Sequence, residues 1–353
     1  MKTLLIFTIL FYTIFSNISL YSAAKRKKGE KNIPLTPLSI DRINLKNDLI
    51  KTLNGAVDNS ITKGGYISVL KDRKTLLEIG NNYDKQTLLP VASLSKSFTA
   101  LAILKLQEEG KLKLQDKVST YIPEFGELED FKGFESLNIL NLLQHHSGIP
   151  YEGRKSSYQF NFENKDFILP KIVVQPNIKY IYSNYNYRLL GKIIEIASGE
   201  LARDYIRSRI LEPLELEEYS FSESFDCASG FMISPRDLLK YAGIYLQGGV
   251  YNGKNILEKN SFKKIFIRPN FEKYNYYGLG WHILTSEKEK RVESLFHSGI
   301  GDYNFGQIRI FTKNKYIFFF QTEHTGKNRS EFNKLNRKIE FSLMRYIQLD
   351  KKV

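Results

Sequence analysis

The sequence predicts an α+β domain: one antiparallel sheet drawn from both chain ends and flanked by helices, with a mainly helical insertion between the two groups of strands. Three observations carry this expectation. A hairpin pattern occupies residues 66–80, residues 111–280 read mainly as helices separated by loops, and three apolar runs crowd together between residues 294 and 323. Strands gathered at the two ends, instead of alternating with helices, exclude a doubly wound parallel sheet. An active cleft is expected between sheet and insertion.

The first regular element is expected to be a helix over about 45–57. In YISVLKDRKTLLEIG (66–80), two apolar runs flank Lys71-Asp72-Arg73-Lys74, which reads as a hairpin although no glycine marks its turn. In PVASLSKSFTALAILKLQEEG (90–110), Ala100, Leu101, Ile103, Leu104 and Leu106 recur at helical spacing up to Gly110, a helix stop. Further helices are expected over 187–197, 201–210 and 235–246, interrupted by turns such as QGGVYNGKN (247–255) and YYGLGWH (276–282). SLFHSG, FGQIRIFT and YIFFFQTE read as strands separated by turn-like GDYN and KNK, and 330–347 reads as a closing helix.

Composition narrows the function classes. A chain of 353 residues that is 42% hydrophobic can bury a large core, which excludes wholesale disorder. The net charge of +14 favours solubility and attraction to anionic surfaces. No basic stripe with interleaved aromatics and no nucleic-acid-binding module is found, so nucleic acid is not an expected partner. A single cysteine, Cys227, forbids an intrachain disulfide. No CxxC or HExxH spacing occurs, and no metal or cofactor is expected.

The first residues carry Lys2, an apolar stretch from Leu4 to Phe15, and small residues ending Ser22-Ala23-Ala24. That is the layout of a signal peptide. The basic run Lys25-Arg26-Lys27-Lys28 is unusual after a cleavage site, because positive charge resists translocation. Residues 1–24 are therefore read as a signal peptide or an N-terminal anchor, 25–45 as a basic linker able to meet an anionic envelope surface, and 46–350 as the folded domain. Export to the periplasm or cell envelope is the expectation. Oligomeric state is left open.

The opening stretch poses the chemical question. In a helix, positions i and i+3 share a face, so Ser93 and Lys96 should lie side by side. A serine hydroxyl becomes a nucleophile when a base takes its proton, and a lysine can be that base where burial and a helix N-terminus lower its pKa. Serines that merely cap the helix are the bland alternative, and Ser95 and Ser97 keep that reading. Three further segments bear on it. Tyr182-Ser183-Asn184 precedes a helical pattern, His297-Ser298-Gly299 closes a strand, and a helix in LNLLQHHSGIP ends at His145-His146-Ser147-Gly148.

With these triplets in this order, the chain resembles the penicillin-recognising serine hydrolases, in the branch related to class C β-lactamases. SLSK (93–96), YSN (182–184) and HSG (297–299) match in type and sequence, and LLQHHSGIP, YSNYNYRLLGKIIE, ILEPLELEEYSF, ASGFMISPRDLLKY and YGLGW are similar to the same branch. Together they cover roughly residues 64–343. The resemblance implies a β-lactamase/transpeptidase-like fold and an acyl-enzyme on Ser93. It implies that Lys96 keeps the Ser93–Tyr182 proton network poised, and that Tyr182 delivers the proton to the leaving group and later helps activate water. Asn184 would bond the substrate amide or orient Lys96, and His297 would face the cleft. The N–H groups of Ser93 and Ile300 would form the oxyanion hole, with Ser298 and Gly299 part of the substrate-binding strand. It treats the segment holding His145 and His146 as structural.

β-Lactamases of this branch usually have lysine where His297 stands, and relatives with histidine there include DD-peptidases and esterases. The expected activity is therefore hydrolysis of an ester or amide outside the cytoplasm. A penicillin-binding DD-carboxypeptidase acting on peptidoglycan peptides, or a β-lactamase, is the alternative within the enzyme class. A non-catalytic cell-wall-binding protein on the same scaffold is the alternative outside it. Two departures concern turns: Pro176-Asn177 stands where the branch often has Pro-Gly, and the first hairpin lacks the usual Asp-Gly.

Overall fold

The computed structural model describes residues 38–123, 136–151, 174–270, 272–286 and 291–350. The leader or anchor read at residues 1–24 and the basic run Lys25–Lys28 lie outside these residues. Among the described residues, no helix is long and apolar enough to cross a membrane.

The described residues open with helix α1 (Leu38–Asp58), then strands β1 (Thr62–Lys71), β2 (Lys74–Asn81) and the short β3 (Leu89–Pro90). A 3-10 turn (Ala92–Leu94) runs into α2 (Ser95–Glu108). The middle contains α3 (Ile139–Leu143), α4 (Asn184–Ser198), strands β4 (Tyr219–Phe221) and β5 (Phe231–Ile233), α5 (Pro235–Gly243), and a small hairpin of β6 (Val250–Tyr251) and β7 (Lys254–Asn255). The chain closes with β8 (Asn275–Tyr277), β9 (His282–Thr285), β10 (Val292–Ile300), β11 (Asn304–Phe311), β12 (Tyr316–His324) and α6 (Arg329–Asp350).

The main sheet has seven strands in the order β2-β1-β12-β11-β10-β9-β8, and every pairing is antiparallel. The first strand thus lies against the last, as strands drawn from both ends require. Side chains alternate across a strand, so Phe318 and Phe320 of β12 pack under α1 and α6 with Leu49, Leu53, Ile339 and Leu343. Ile317 and Phe319 face the other way, into the larger core shared with α2 and the insertion. Burial on both faces explains why β12 reads as a continuous apolar run instead of an alternating one.

Four expectations need correction. The first helix starts at Leu38, inside the segment read as linker, and its first turn is tied down by Arg42, which donates to Asp350 and Tyr346 at the far end of α6. YYGLGWH is more than a turn. It contributes β8 and the start of β9, the edge of the main sheet, with Gly280 at φ +77 between them. QGGVYNGKN contains the β6–β7 hairpin, whose turn residues Asn252 and Gly253 both have positive φ, the signature of a type I′ turn. Two strands of the insertion also join β3 in a three-stranded sheet, β3-β5-β4, which periodicity could not reveal because each strand is two or three residues long.

The unmarked turns also resolve. Asp72 and Arg73 take φ +48 and +67, so the first hairpin uses a type I′ turn without glycine. Asn177 sits at φ +66, in the left-handed region that asparagine tolerates better than most residues, which accounts for Asn where a glycine is usual.

Candidate active site

The nucleophile turn is aimed by its neighbours. Pro90 of β3 pairs with Met232 of β5, and Val91 N–H donates to the Phe231 carbonyl at 3.0 Å. Ala92 then adopts φ +45, an unusual conformation for alanine that turns the chain sharply into the 3-10 turn carrying Ser93. Leu94 N–H to Val91 carbonyl is the first bond inside the turn, so the N–H of Ser93 precedes the hydrogen-bonded part. Ser95 and Ser97 are structural. Ser95 Oγ donates to the Ala92 carbonyl and accepts from Phe231 N–H, and Ser97 Oγ donates to the Leu94 carbonyl and accepts from the Tyr241 hydroxyl.

Lys96 is fully buried one turn into the helix. Its Nζ lies 2.8 Å from Asn184 Oδ1, 2.8 Å from the Ala228 carbonyl and 3.2 Å from Ser93 Oγ. Both carbonyl oxygens can only accept, so they take two of the amine's hydrogens. Ser93 Oγ is the third oxygen within hydrogen-bond distance of Nζ. At that distance a charged amine can donate to the serine oxygen and a neutral amine can accept its proton.

The Ala228 carbonyl was not foreseen, because a backbone acceptor leaves no residue signature. Its loop is built by Asp226, whose Oδ1 accepts the N–H groups of Ala228 and Ser229 while its Oδ2 pairs with Arg188 at 2.6 Å. Gly191 on α4 lets the loop in: a Cβ there would stand 2.8 Å from Cys227 Sγ. Cys227 is buried, and burial pushes its thiol well above the ordinary range.

Tyr182 and Asn184 arrive together, since α4 begins at Asn184 and Tyr182 lies just before it. The Tyr182 hydroxyl is raised well above its ordinary pKa by burial, against an opposing hydrogen bond to Ser93, so it is a phenol at rest. Lys96 Nζ stands 5.1 Å from the centre of its ring. Ser93, Lys96, Tyr182 and Asn184, read from two separate motifs, therefore meet at one point.

The third motif differs from expectation in two respects. His297 is buried, 2% exposed, and does not open onto the cleft. Its Nδ1 lies 2.9 Å from the Ser298 carbonyl, so that nitrogen bears the proton, and Nε2 accepts from the Tyr277 hydroxyl at 3.0 Å. Burial, then the neighbouring His282 and Lys96, holds the ring well below the usual imidazole range, hence neutral. Ser298 points to the opposite face, as alternation along a strand requires, and its Oγ accepts from Gln307 Nε2 at 3.2 Å.

Gly299 does meet the turn that carries Ser93. A Cβ on Gly299 would lie 2.1 Å from the Val91 carbonyl oxygen, so β10 presses directly on the residues that introduce Ser93. Gly301 N–H bonds the Asn304 carbonyl across the β10–β11 turn, which directs the N–H of the preceding residue, Ile300, to the opposite edge. β9 covers that edge only as far as Phe296. The Ile300 N–H thus lies on an edge of β10 that the β9 pairing does not reach.

Four of the five histidines gather behind the site. Burial lowers His145, His146 and His297, and brings His282 to about 4. An unfolded histidine titrates near 6.5, so below that pH the unfolded chain binds more protons than the folded one. The contribution of His282 is complete above about 6.5 and is lost as pH falls towards 4. Urea unfolding should therefore give a stability at pH 5 lower than at pH 7.5, by about 1–2 kcal/mol from His282 alone. Replacing His282 with Gln should flatten that slope, and an unchanged slope would contradict its assignment.

Comparison with known proteins identifies the family and the fold. The family model described as Beta-lactamase matches residues 49–340. Protein flp of Staphylococcus aureus (strain MW2) is 31% identical over 200 residues, covering 51% of this chain and 40% of that protein. A putative D-alanyl-D-alanine carboxypeptidase of Salmonella agona (strain SL483) is 30% identical over 220 residues, covering 53% of this chain and 51% of that protein. The chain thus spans about half the length, or less, of the curated relatives it matches. Among solved structures, the octameric penicillin-binding protein homologue from Pyrococcus abyssi superposes with a TM-score of 0.64 at 25% identity, over 83% of this chain and 75% of that one. The D-amino acid amidase of Ochrobactrum anthropi SV3 superposes with a TM-score of 0.65 at 18% identity, over 88% and 99%, a likeness of fold.

Proposed function

This chain belongs to the beta-lactamase family, and from that premise we propose that it hydrolyses an ester or amide through an acyl-enzyme on Ser93. The observation that carries the reading is the Lys96 amine, 3.2 Å from Ser93 Oγ with two hydrogens committed to Asn184 and Ala228. Neutral Lys96 takes the Ser93 proton as Oγ bonds the substrate carbonyl carbon. The resulting oxyanion lies between the N–H groups of Ser93 and Ile300. Tyr182, a phenol at rest, protonates the leaving group as the carbonyl–leaving-group bond breaks, and Lys96 returns a proton to it. In deacylation the same groups run in reverse on water: a proton leaves the water, its oxygen bonds the acyl carbon, and Ser93 regains its hydrogen.

His297 bears on the substrate. Being neutral and engaged by Tyr277, it offers no cation for a substrate carboxylate at the position where β-lactamases of this branch carry lysine. An uncharged ester or amide is therefore favoured over a β-lactam. The likeness to a putative D-alanyl-D-alanine carboxypeptidase supports a second reading, cleavage of a wall peptide. The Leu4–Phe15 stretch behind Lys2 supports action outside the cytoplasm, with Lys25–Lys28 against an anionic surface.

Mass spectrometry after treatment with a fluorophosphonate tests the core of the proposal. One adduct is expected on Ser93, absent in Ser93→Ala and slowed in Tyr182→Phe; an adduct elsewhere overturns it. Turnover of p-nitrophenyl esters with slow or no turnover of nitrocefin supports the esterase reading, whereas stable labelling by a fluorescent penicillin supports the wall-peptide reading.

A further inference from the structure

We propose that His145 is a positioning residue for acyl transfer, holding Tyr182 by gripping the chain on both sides of it; this rests on the reading of Tyr182 as the proton donor. Three consecutive residues are held by this one histidine. Its carbonyl accepts the N–H of Ile181 at 2.9 Å. Its Nδ1 accepts the N–H of Ser183 at 3.2 Å. Its ring lies against the ring of Tyr182 itself, with centroids 4.3 Å apart and planes 36° from each other.

The grip is specified chemically. A backbone N–H can only donate, so Nδ1 bears a lone pair and the proton resides on Nε2. Asn186 Nδ2 donates to the same nitrogen at 3.0 Å, and the orientation of that amide is set by Ser147 Oγ, which donates to Asn186 Oδ1 at 2.7 Å. The residues after His145 thus fix its tautomer. The side chain is fully buried, with φ at +58, a conformation in which most residues with a side chain are disfavoured. A residue that only filled space here would need neither an acceptor nor a left-handed backbone. The neighbouring contacts continue the same template: the Pro150 carbonyl accepts Ser183 Oγ, and the His146 carbonyl accepts Asn177 N–H. The short segment that looks like a helix end is a mould for the Tyr182 loop.

Two substitutions separate the parts of the grip. His145→Phe keeps a ring against Tyr182 but leaves Ser183 N–H buried without an acceptor. His145→Asn keeps a short acceptor, tolerates the left-handed backbone and loses the ring. Each full-length variant is compared with wild type for Tm, for kcat and KM on a p-nitrophenyl ester, and for kcat per fluorophosphonate-labelled site across pH. His145→Phe is expected to lower kcat per labelled site about 10–100-fold, as a displacement of about 1 Å at a reacting group does, with KM changed less than about threefold and the alkaline limb of the pH profile moved. His145→Asn is expected to regain at least tenfold of that loss. Wild-type kcat per labelled site and an unchanged pH profile in a less stable variant would overturn the proposal in favour of a purely structural role. Should the Phe variant not fold, a folded Asn variant that loses more than about 100-fold overturns it as well. Absence of a Ser93 adduct in the wild type would remove the functional reading, and the proposal with it. Labelled wild type with unaffected variants would remove this inference alone.

Discussion

Lys96→Met should yield a folded protein whose kcat/KM is lower by about three to four orders of magnitude, the upper range for removing a general base. Methionine fills most of the space of the buried lysine but cannot hold Ser93, Asn184 and Ala228 together through one nitrogen. Stability should change far less than activity. Each carbonyl left without a donor costs about 1–3 kcal/mol, while removing a buried amine that is charged in one of its working states relieves a desolvation penalty of several kcal/mol. Lys96→Arg should be nearly as inactive, because guanidinium does not deprotonate in proteins. Rates of p-nitrophenyl ester hydrolysis and of fluorophosphonate labelling check this together with Tm. A Met variant within about tenfold of wild type would mean that Ser93 is activated by another group.

Gly299→Ala is expected to be the next most damaging change, although it adds one methyl group and touches no reacting atom. The new Cβ would stand 2.1 Å from the Val91 carbonyl oxygen and 2.9 Å from its carbon, both backbone atoms of the segment that presents Ser93. Either β10 or that segment must shift, and the Ser93 and Ile300 N–H groups then no longer converge. Losing one oxyanion donor costs about 2.7–4 kcal/mol of transition-state stabilisation, so kcat should fall about 100–1000-fold. The control lies directly across the strand pair. Gly306 is the register partner of Gly299, and a Cβ there would approach nothing closer than the end of the Gln321 side chain at 3.3 Å. Gly306→Ala should keep most of the activity, and equal damage from both would show that the effect is general loss of the sheet.

Much of this was legible before any coordinates. Strands at both ends with a helical middle correctly implied an antiparallel sheet closed by β1 against β12, because periodicity is strong in long elements such as β10, β11, β12 and α6. Two of the motifs named side chains that meet although 88 residues separate Lys96 from Asn184, and i,i+3 spacing on a helix correctly placed Ser93 beside Lys96. The parts that stayed hidden have physical reasons. Strands of two or three residues carry no readable period, so β3, β4 and β5 were missed even though they aim Ser93. The Ala228 carbonyl is backbone, and backbone chemistry has no letter. His297 was expected to open onto the cleft, but its environment depends on Tyr277, twenty residues earlier and in a segment read as a turn. His145 was read only as part of a structural segment, because its partners are the N–H of Ser183 and the ring of Tyr182, neither of them predictable from its own neighbours.

The pairing of β1 with β12 has a consequence for the life of the chain on the ribosome. Val69 lies beside Phe318, and Gly299 beside Val91, so both the sheet and the catalytic turn are stitched from segments made far apart in time. At roughly 5–20 residues per second, β1 waits about 10–50 s for its partner to be made. During that wait the open edge of β1 and the turn bearing Ser93 lack β12 and β10 to close against. Both the sheet and the Ser93 turn are therefore incomplete until β12 emerges, and a chain cut within or before β12 is expected to lose the cooperative unfolding transition of the full-length protein.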